Sequence, residues 1–442
     1  MSNEISGQSG RFQIPAIGSL LVLAASALMF GGDNTSSSLL VSFCVLLIFA
    51  VSMLRHPALK LEPWHLPIIF GFSVFSIYHF FAGNMADAEH EYLMLIAAAG
   101  VFWIGRTAAK SKRRFFKVAR YIAVYALLYS GAAFFQHFLM PDTVLGLEKP
   151  YHHLRLTGSF LSANTAASYF AILSLFLFAR ILQNLSKSSR YYQDVQGSGF
   201  RTVLVQPVTL SALIFALTCL FLTGSRAGIA SGVAGLSVVF AGYLIAGIKS
   251  QQMGSGWGKF LIVSGLMAVG MMLFVWILSG GVVQSRVFDF ETDLDQRISF
   301  FGTAWEAGQQ YPFFGAGLDN WQDARFESSG LQTNASIVEN NAVHNLYIQW
   351  FVQGGWVGLT GMISLVVAVA LRAWFSDQHT IWKAFAFGVL TVVLLHGLFD
   401  YAMEIPAFFL LVAFLLGLTT TEAGPAGRQR DAERDLTDKH ST

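Results

Sequence analysis

The chain is 442 residues long, 54% hydrophobic and only 12% charged, with a mean hydropathy of +0.54. Those values exclude an ordinary soluble domain and describe a polytopic membrane protein. The formal net charge of +2 carries little information, because the cations are confined to particular loops, and no nucleic-acid partner is expected.

A membrane-crossing helix needs roughly 20 mostly apolar residues. About twelve segments meet or approach that length, at 14–31, 38–54, 66–82, 91–105, 115–139, 162–180, 203–223, 227–248, 260–280, 346–371, 381–399 and 405–420. The fold class expected is therefore an all-α integral membrane protein. The fourth segment is short, and charge parity decides that it is kept. With a cytoplasmic N-terminus, the positive-inside bias leaves only Lys149, Arg155, Arg226, Arg286, Arg297 and Arg325 of the 28 Lys and Arg on the outer face. Dropping the fourth helix inverts every later loop and destroys that bias. The first segment is read as an uncleaved helix, although Ala24, Ala25 and Ala27 imitate a small-residue cleavage site. Cys44 and Cys219 lie in separate apolar segments and suggest neither a disulfide framework nor a metal site.

The expected organisation is one transmembrane domain over 1–420 and a disordered cytoplasmic tail over 421–442, so both termini are cytoplasmic. Two outer loops are long, 140–161 and 281–343, and the second is too long for a simple connection. Within it, Ile298, Phe301, Trp305 and Gly308 share a helical stripe that Tyr311-Pro312 ends. That helix fits a position on the membrane surface, and it also fits one that presents Arg297 to a headgroup.

Three short segments carry candidate chemistry. Arg155 opens Arg155-Leu156-Thr157-Gly158-Ser159-Phe160, and Asn164 follows at the start of the sixth helix. An ordinary cap with a snorkelling arginine fits this pattern, as does a phosphate cradle of backbone N–H groups and a guanidinium fork. Thr223-Gly224-Ser225-Arg226-Ala227-Gly228 joins two helices with almost no loop, and its small residues let a ligand approach Arg226 closely. His344-Asn345 ends the long outer loop, and a neutral imidazole there is suited to accept a proton from a hydroxyl. His396 and Asp400 are four apart and are expected to form a polar pair on one helix face, structural or proton-relaying. His344 has no second histidine at metal-ligand spacing, and the adjacent His152-His153 point in different directions on any regular element, so no metal site is expected.

In combination these segments resemble the O-antigen ligase/polymerase superfamily. The 155–164 and 223–228 segments are similar to its first two motifs. Arg297, Trp305, Pro312, Gly315 and Gly317, leading to His344-Asn345 with Gly355 and Gly358 beyond, are similar to its third. The resemblance implies a multi-pass protein of a bacterial inner membrane. Such a protein moves a glycan from a polyprenyl diphosphate carrier to a lipid A-core, another glycan or a protein acceptor on the periplasmic face. It implies inverting transfer without metal or other cofactor. It also implies that His344 is the base, that Arg155, Arg226 and Arg297 hold the diphosphate, and that Asn164, Ser225 and Asn345 support them. Arg286 and Arg325 compete with Arg297 for its role. A polymerase of the same superfamily is the alternative within the class, and a transporter of polysaccharide or lipid-linked glycan is the alternative outside it. Deep charges, which a transporter needs, are scarce here.

Overall fold

A computed structural model describes residues 13–32, 34–55, 65–82, 88–149, 154–185, 200–249, 290–318, 320–321, 324 and 342–421. The secondary structure of the described residues is helical apart from one small hairpin. The first five helices are α1 (Gln13–Leu28), α2 (Thr35–Arg55), α3 (His65–Ala82), α4 (Glu89–Ala109) and α5 (Lys112–Leu139). A two-stranded antiparallel hairpin follows, β1 (Thr143–Val144) and β2 (Leu147–Glu148), paired Thr143 to Glu148. Next come α6 (Ala163–Leu185), α7 (Phe200–Leu222), α8 (Arg226–Lys249), α9 (Phe290–Gln309), α10 (Leu346–Phe375), α11 (Thr380–His396) and α12 (Pro406–Thr419).

Eleven of the expected apolar segments are helical, and the amphipathic helix expected around Trp305 is α9. The segment at 260–280, the tail from 422, and the stretches 281–289 and 325–341 of the long loop lie outside the described residues. Six described helices are long and apolar enough to cross a membrane, including α4, a full 21 residues where the sequence suggested a short segment. Polar Glu89 and Glu91 at its start and Arg106 near its end had made the apolar stretch look short.

α6 is the axis of the bundle, with 89% of its most apolar stretch buried against 22% for α10. Lipid is as apolar as leucine, so close backbone packing rather than the hydrophobic effect holds such helices together. Glycine supplies that closeness where α4 meets α12. A Cβ on Gly417 would lie 2.2 Å from the Phe102 carbonyl oxygen, and one on Gly105 would lie 2.4 Å from that of Phe414. α8 and α11 touch in the same way at Gly235 and Gly388.

α10 is interrupted at Gly355, whose φ of 60° and ψ of −158° are not helical. A broken helix frees backbone groups, which must find partners inside a membrane protein. The chain between α9 and α10 supplies them. Ala316 N donates to the Val352 carbonyl (2.8 Å) and Gly317 N to that of Gln353 (3.0 Å). Trp356 N and Val357 N donate to the carbonyls of Pro312 (2.8 Å) and Phe313 (3.0 Å). Gly315 and Gly355 carry the contact, because a Cβ on either would come within 2.4 Å of the opposing backbone. His79 of α3 closes it with Nε2 2.9 Å from the Phe314 carbonyl oxygen. The glycines of the third sequence segment are thus backbone stitches that tie α9 to the membrane helices.

Gly417→Val should force α4 and α12 apart and lower the thermal unfolding midpoint sharply in detergent. Gly131→Ala, a helix position with no atom near its would-be Cβ, should leave the midpoint unchanged or raise it by the equivalent of about 0.5–1 kcal/mol.

Candidate functional site

Arg155 and Arg226 belong to one strap. α7 ends at Leu222, and Gly224 follows with a φ of +60°, the left-handed residue that commonly closes a helix. The last carbonyls of a helix lack internal partners and favour a cation. Arg155 meets both needs, donating from Nε to the Thr223 carbonyl at 2.6 Å while Leu156 N donates to that of Leu222 at 3.0 Å. Its Nη2 donates to Asn164 Oδ1 at 3.0 Å, which fixes the guanidinium over the start of α6. The whole side chain is only 7% exposed. Ser225 caps α8 by accepting from Gly228 N at 3.3 Å, and Arg226, half-buried, is the first residue of that helix.

The hairpin delivers a further cation to the strap. Lys149 is buried and donates from Nζ to the Arg155 carbonyl at 3.0 Å. Burial pushes its pKa below the usual lysine value, and nearby Asp142 opposes that change. Lys149 was counted among the outer cations on sequence, but nothing in its neighbours marked it as a brace for Arg155.

His344 stands where the chain re-enters the membrane. Its φ of +56° is uncommon for a residue with a side chain, and such conformations persist only where the surroundings fix them. The surroundings here are the far end of α11. Leu346 N donates to the Gly397 carbonyl at 2.6 Å, Asn345 Nδ2 to that of Leu398 at 3.0 Å, and Tyr347 Oη to that of Leu394 at 2.9 Å. Asn345 Oδ1 also accepts from Tyr347 N and Ile348 N and so caps α10. The His344 ring meets Tyr401 edge-on at 4.7 Å, and its Nδ1 lies 4.0 Å from Oδ1 of Asp400. Asp400 is 1% exposed while the imidazole side chain is 29% exposed. The buried carboxylate thus lies behind a partly exposed imidazole, at a separation longer than a direct hydrogen bond.

The expected pairing of His396 with Asp400 along one helix face is corrected. α11 stops at His396, and the chain leaves the helix over Gly397–Asp400, so the four-residue spacing no longer places both on one face. His396 turns inward instead, with Nδ1 2.5 Å from the Ser168 hydroxyl and Nε2 3.5 Å from that of Ser225. The 396–400 turn therefore holds the Ser225 cap of the strap on one side and the His344 re-entry on the other. A small cavity lined by Ser168, Leu346, His396, Gly397 and Asp400 lies at that junction.

Arg297 lies on α9, but its side chain is outside the described residues, as are Arg286, Arg325, His152 and His153. Asp400 as the partner of His344 was missed because 56 residues separate them and no local pattern links the two.

Residues 211–363 match the family model described as O-Antigen ligase. Within those residues the chain is similar to the O-antigen ligase superfamily. The matched segment spans the Thr223–Gly228 turn, α9, His344 and the Gly355 break, while Arg155 and Asp400 flank it on either side. Over 326 residues, 71% of its length, the chain is also 25% identical to a General O-oligosaccharyltransferase of Acinetobacter baylyi (strain ATCC 33305 / BD413 / ADP1). It spans about half, 52%, of that relative. The apolar helices together with the matched segment indicate a multi-pass membrane protein.

Arg155→Ala should cost about 3 kcal/mol or more, because it removes two charge-assisted bonds and leaves the Thr223 carbonyl buried without its donor. Arg155→Lys should recover only part of that loss, since one ammonium does not span both acceptors. Detergent melts of the two variants against the parent protein measure the difference.

Proposed function

We propose that this protein transfers a glycan from a polyprenyl diphosphate carrier to an acceptor hydroxyl on the periplasmic face of a bacterial inner membrane. The observation that carries the reading is the shared 396–400 turn, which braces the strap that leads to Arg226 and also seats His344 beside Asp400. The printed name of the Acinetobacter relative, an O-oligosaccharyltransferase, supports transfer to a hydroxyl oxygen.

In this reading the Arg226 guanidinium, with Arg155 and Arg297, faces the diphosphate. Positive charge placed where a leaving group gathers negative charge lowers the barrier directly. Arg155 is already committed to Thr223 and Asn164, so its larger share is to hold the strap in place. His344 takes the proton of the acceptor hydroxyl through its imidazole, and the buried Asp400 stabilises the imidazolium that results. The acceptor oxygen bonds to the anomeric carbon while the bond from that carbon to the diphosphate oxygen breaks. The electron pair leaves with the diphosphate, which is stable as an anion and needs no proton. Attack from the face opposite the leaving group inverts the anomeric centre. The arginines supply the charge that a metal would otherwise bring, so the scheme calls for none.

Purified protein, a polyprenyl diphosphate glycan and candidate acceptors test the scheme. The parent protein should release polyprenyl diphosphate only when an acceptor is present. Arg226→Ala should lower the rate by roughly 10²–10³-fold, the usual cost of losing one charge stabiliser. A well-folded His344→Ala variant with full turnover would refute the base assignment. Linkage analysis separates the polymerase alternative: loss of the gene leaves short glycans on the acceptor if the protein polymerises, and unattached long glycan if it ligates.

A further inference from the structure

The end of the bundle opposite the strap holds a second, separate concentration of positive charge. Arg180 lies on α6 five residues before its end at Leu185, and it is 2% exposed. A guanidinium keeps its charge under all ordinary conditions. Two of its nitrogens, Nε and Nη1, are buried and have no acceptor among the described residues. The charged group that acts on it is another arginine, Arg120 of α5, whose Nε is likewise buried without an acceptor. The neighbouring helices α5, α6 and α11 contain no Asp or Glu at all. Burying an unpaired cation costs several kcal/mol, and placing a second cation beside it adds repulsion. Such a pair is tenable when an anion sits between its members.

The walls are well defined. Phe176, Arg180 and Gln183 fall on one stripe of α6, and the residues on either side of Arg180 both meet Trp382 of α11. The Phe176 and Trp382 rings are 5.4 Å apart, and Trp382 Nε1 donates to Gln183 Oε1 at 2.7 Å. Phe115 of α5 packs edge-on against the same indole at 4.8 Å. The floor is therefore rigid and aromatic, and half-buried Arg120 marks the side toward α5.

We propose that Arg180 and Arg120 form a binding site for the phosphate of an anionic lipid headgroup between α5 and α6, at the end of the bundle opposite Arg155, Arg226 and His344. Arg180 is about 7–8 Å inside the end of its helix, a depth comparable with the headgroup layer of a bilayer. Lys112, Arg113 and Arg114 on the first turn of α5 gather anionic lipid toward the same place. The apolar walls suit a headgroup with acyl chains attached better than free phosphate. This site does not depend on the glycan-transfer reading, and its test involves no turnover.

Thermal unfolding of the full chain in dodecyl maltoside, titrated with phosphatidylglycerol, phosphatidylcholine or inorganic phosphate at matched ionic strength, decides it. Phosphatidylglycerol should raise the midpoint of the parent protein, and phosphatidylcholine should do much less. Arg180→Gln should weaken the apparent phosphatidylglycerol affinity about tenfold or more. Without lipid, Arg180→Gln should melt no lower than the parent, because it removes an unpaired buried charge. Lys117→Gln, an exposed cation on the same helix, should respond like the parent. An undiminished lipid response in Arg180→Gln overturns the site, and so does an equal loss in Lys117→Gln. Full stabilisation by inorganic phosphate overturns the lipid assignment. Native mass spectrometry of Arg120→Gln gives a reading independent of how Arg180→Gln folds: fewer retained phosphatidylglycerol molecules than the parent support the site, and equal retention contradicts it.

Discussion

Two backbone re-entries meet at the end of α11, and the rest of the candidate site depends on that meeting. One is the tight passage from α7 to α8, where Ser225 caps the helix that begins with Arg226. The other is the return of the long loop into α10 through His344 and Asn345. Both leave polar groups that lipid cannot satisfy, and the 396–400 turn takes up their bonds through the His396 ring and the Gly397 and Leu398 carbonyls. Backbone hydrogen-bonding at membrane depth thus forces together residues that lie more than a hundred positions apart in sequence. The small cavity at the junction follows from the same geometry, since a turn replaces the helix where α11 stops.

The break in α10 extends the same logic to the outer loop. Gly355 leaves four backbone groups to be matched, and the stretch from Pro312 to Gly317 matches them in register. α9 is consequently not a loose surface helix. Its Trp305 stacks on Phe351 of α10 at 4.5 Å, and the glycines after it lock the connection. Any role for Arg297 is exercised from a helix whose exit is fixed to the membrane core. The strap, the re-entry and this stitch give three anchored elements at one end of the bundle. Arg180 and Arg120 form a distinct cationic feature at the other.

Much of the helical architecture is legible in the sequence, because apolar length and cation parity are strong physical signals. They retain α4 even though its apolar stretch is short. The candidate residues are legible as individuals: Arg155, Arg226 and His344 each stand in a local pattern of small or amide residues. Their connections are not legible, because these depend on which helix ends adjoin. Asp400 looked like a helix-face partner of His396, since spacing assumes that the helix continues; α11 ends at His396, and Asp400 lies 4.0 Å from His344. Asn345, expected as a supporting site residue, also caps α10, which its local sequence did not single out. Lys149 and Arg180 looked like ordinary topology charges, because burial is a property of the packed bundle and leaves no mark on neighbouring residues.

The central claim is that the strap and the His344 re-entry form one site for a lipid diphosphate and its glycan. Cryo-electron microscopy of the protein with a non-transferable polyprenyl diphosphate glycan analogue addresses it directly. The account predicts diphosphate density in hydrogen-bonding contact with the Arg226 guanidinium, with the anomeric carbon on the side that faces the His344 imidazole. Diphosphate density held away from Arg226, or a glycan pointing away from His344, would contradict it.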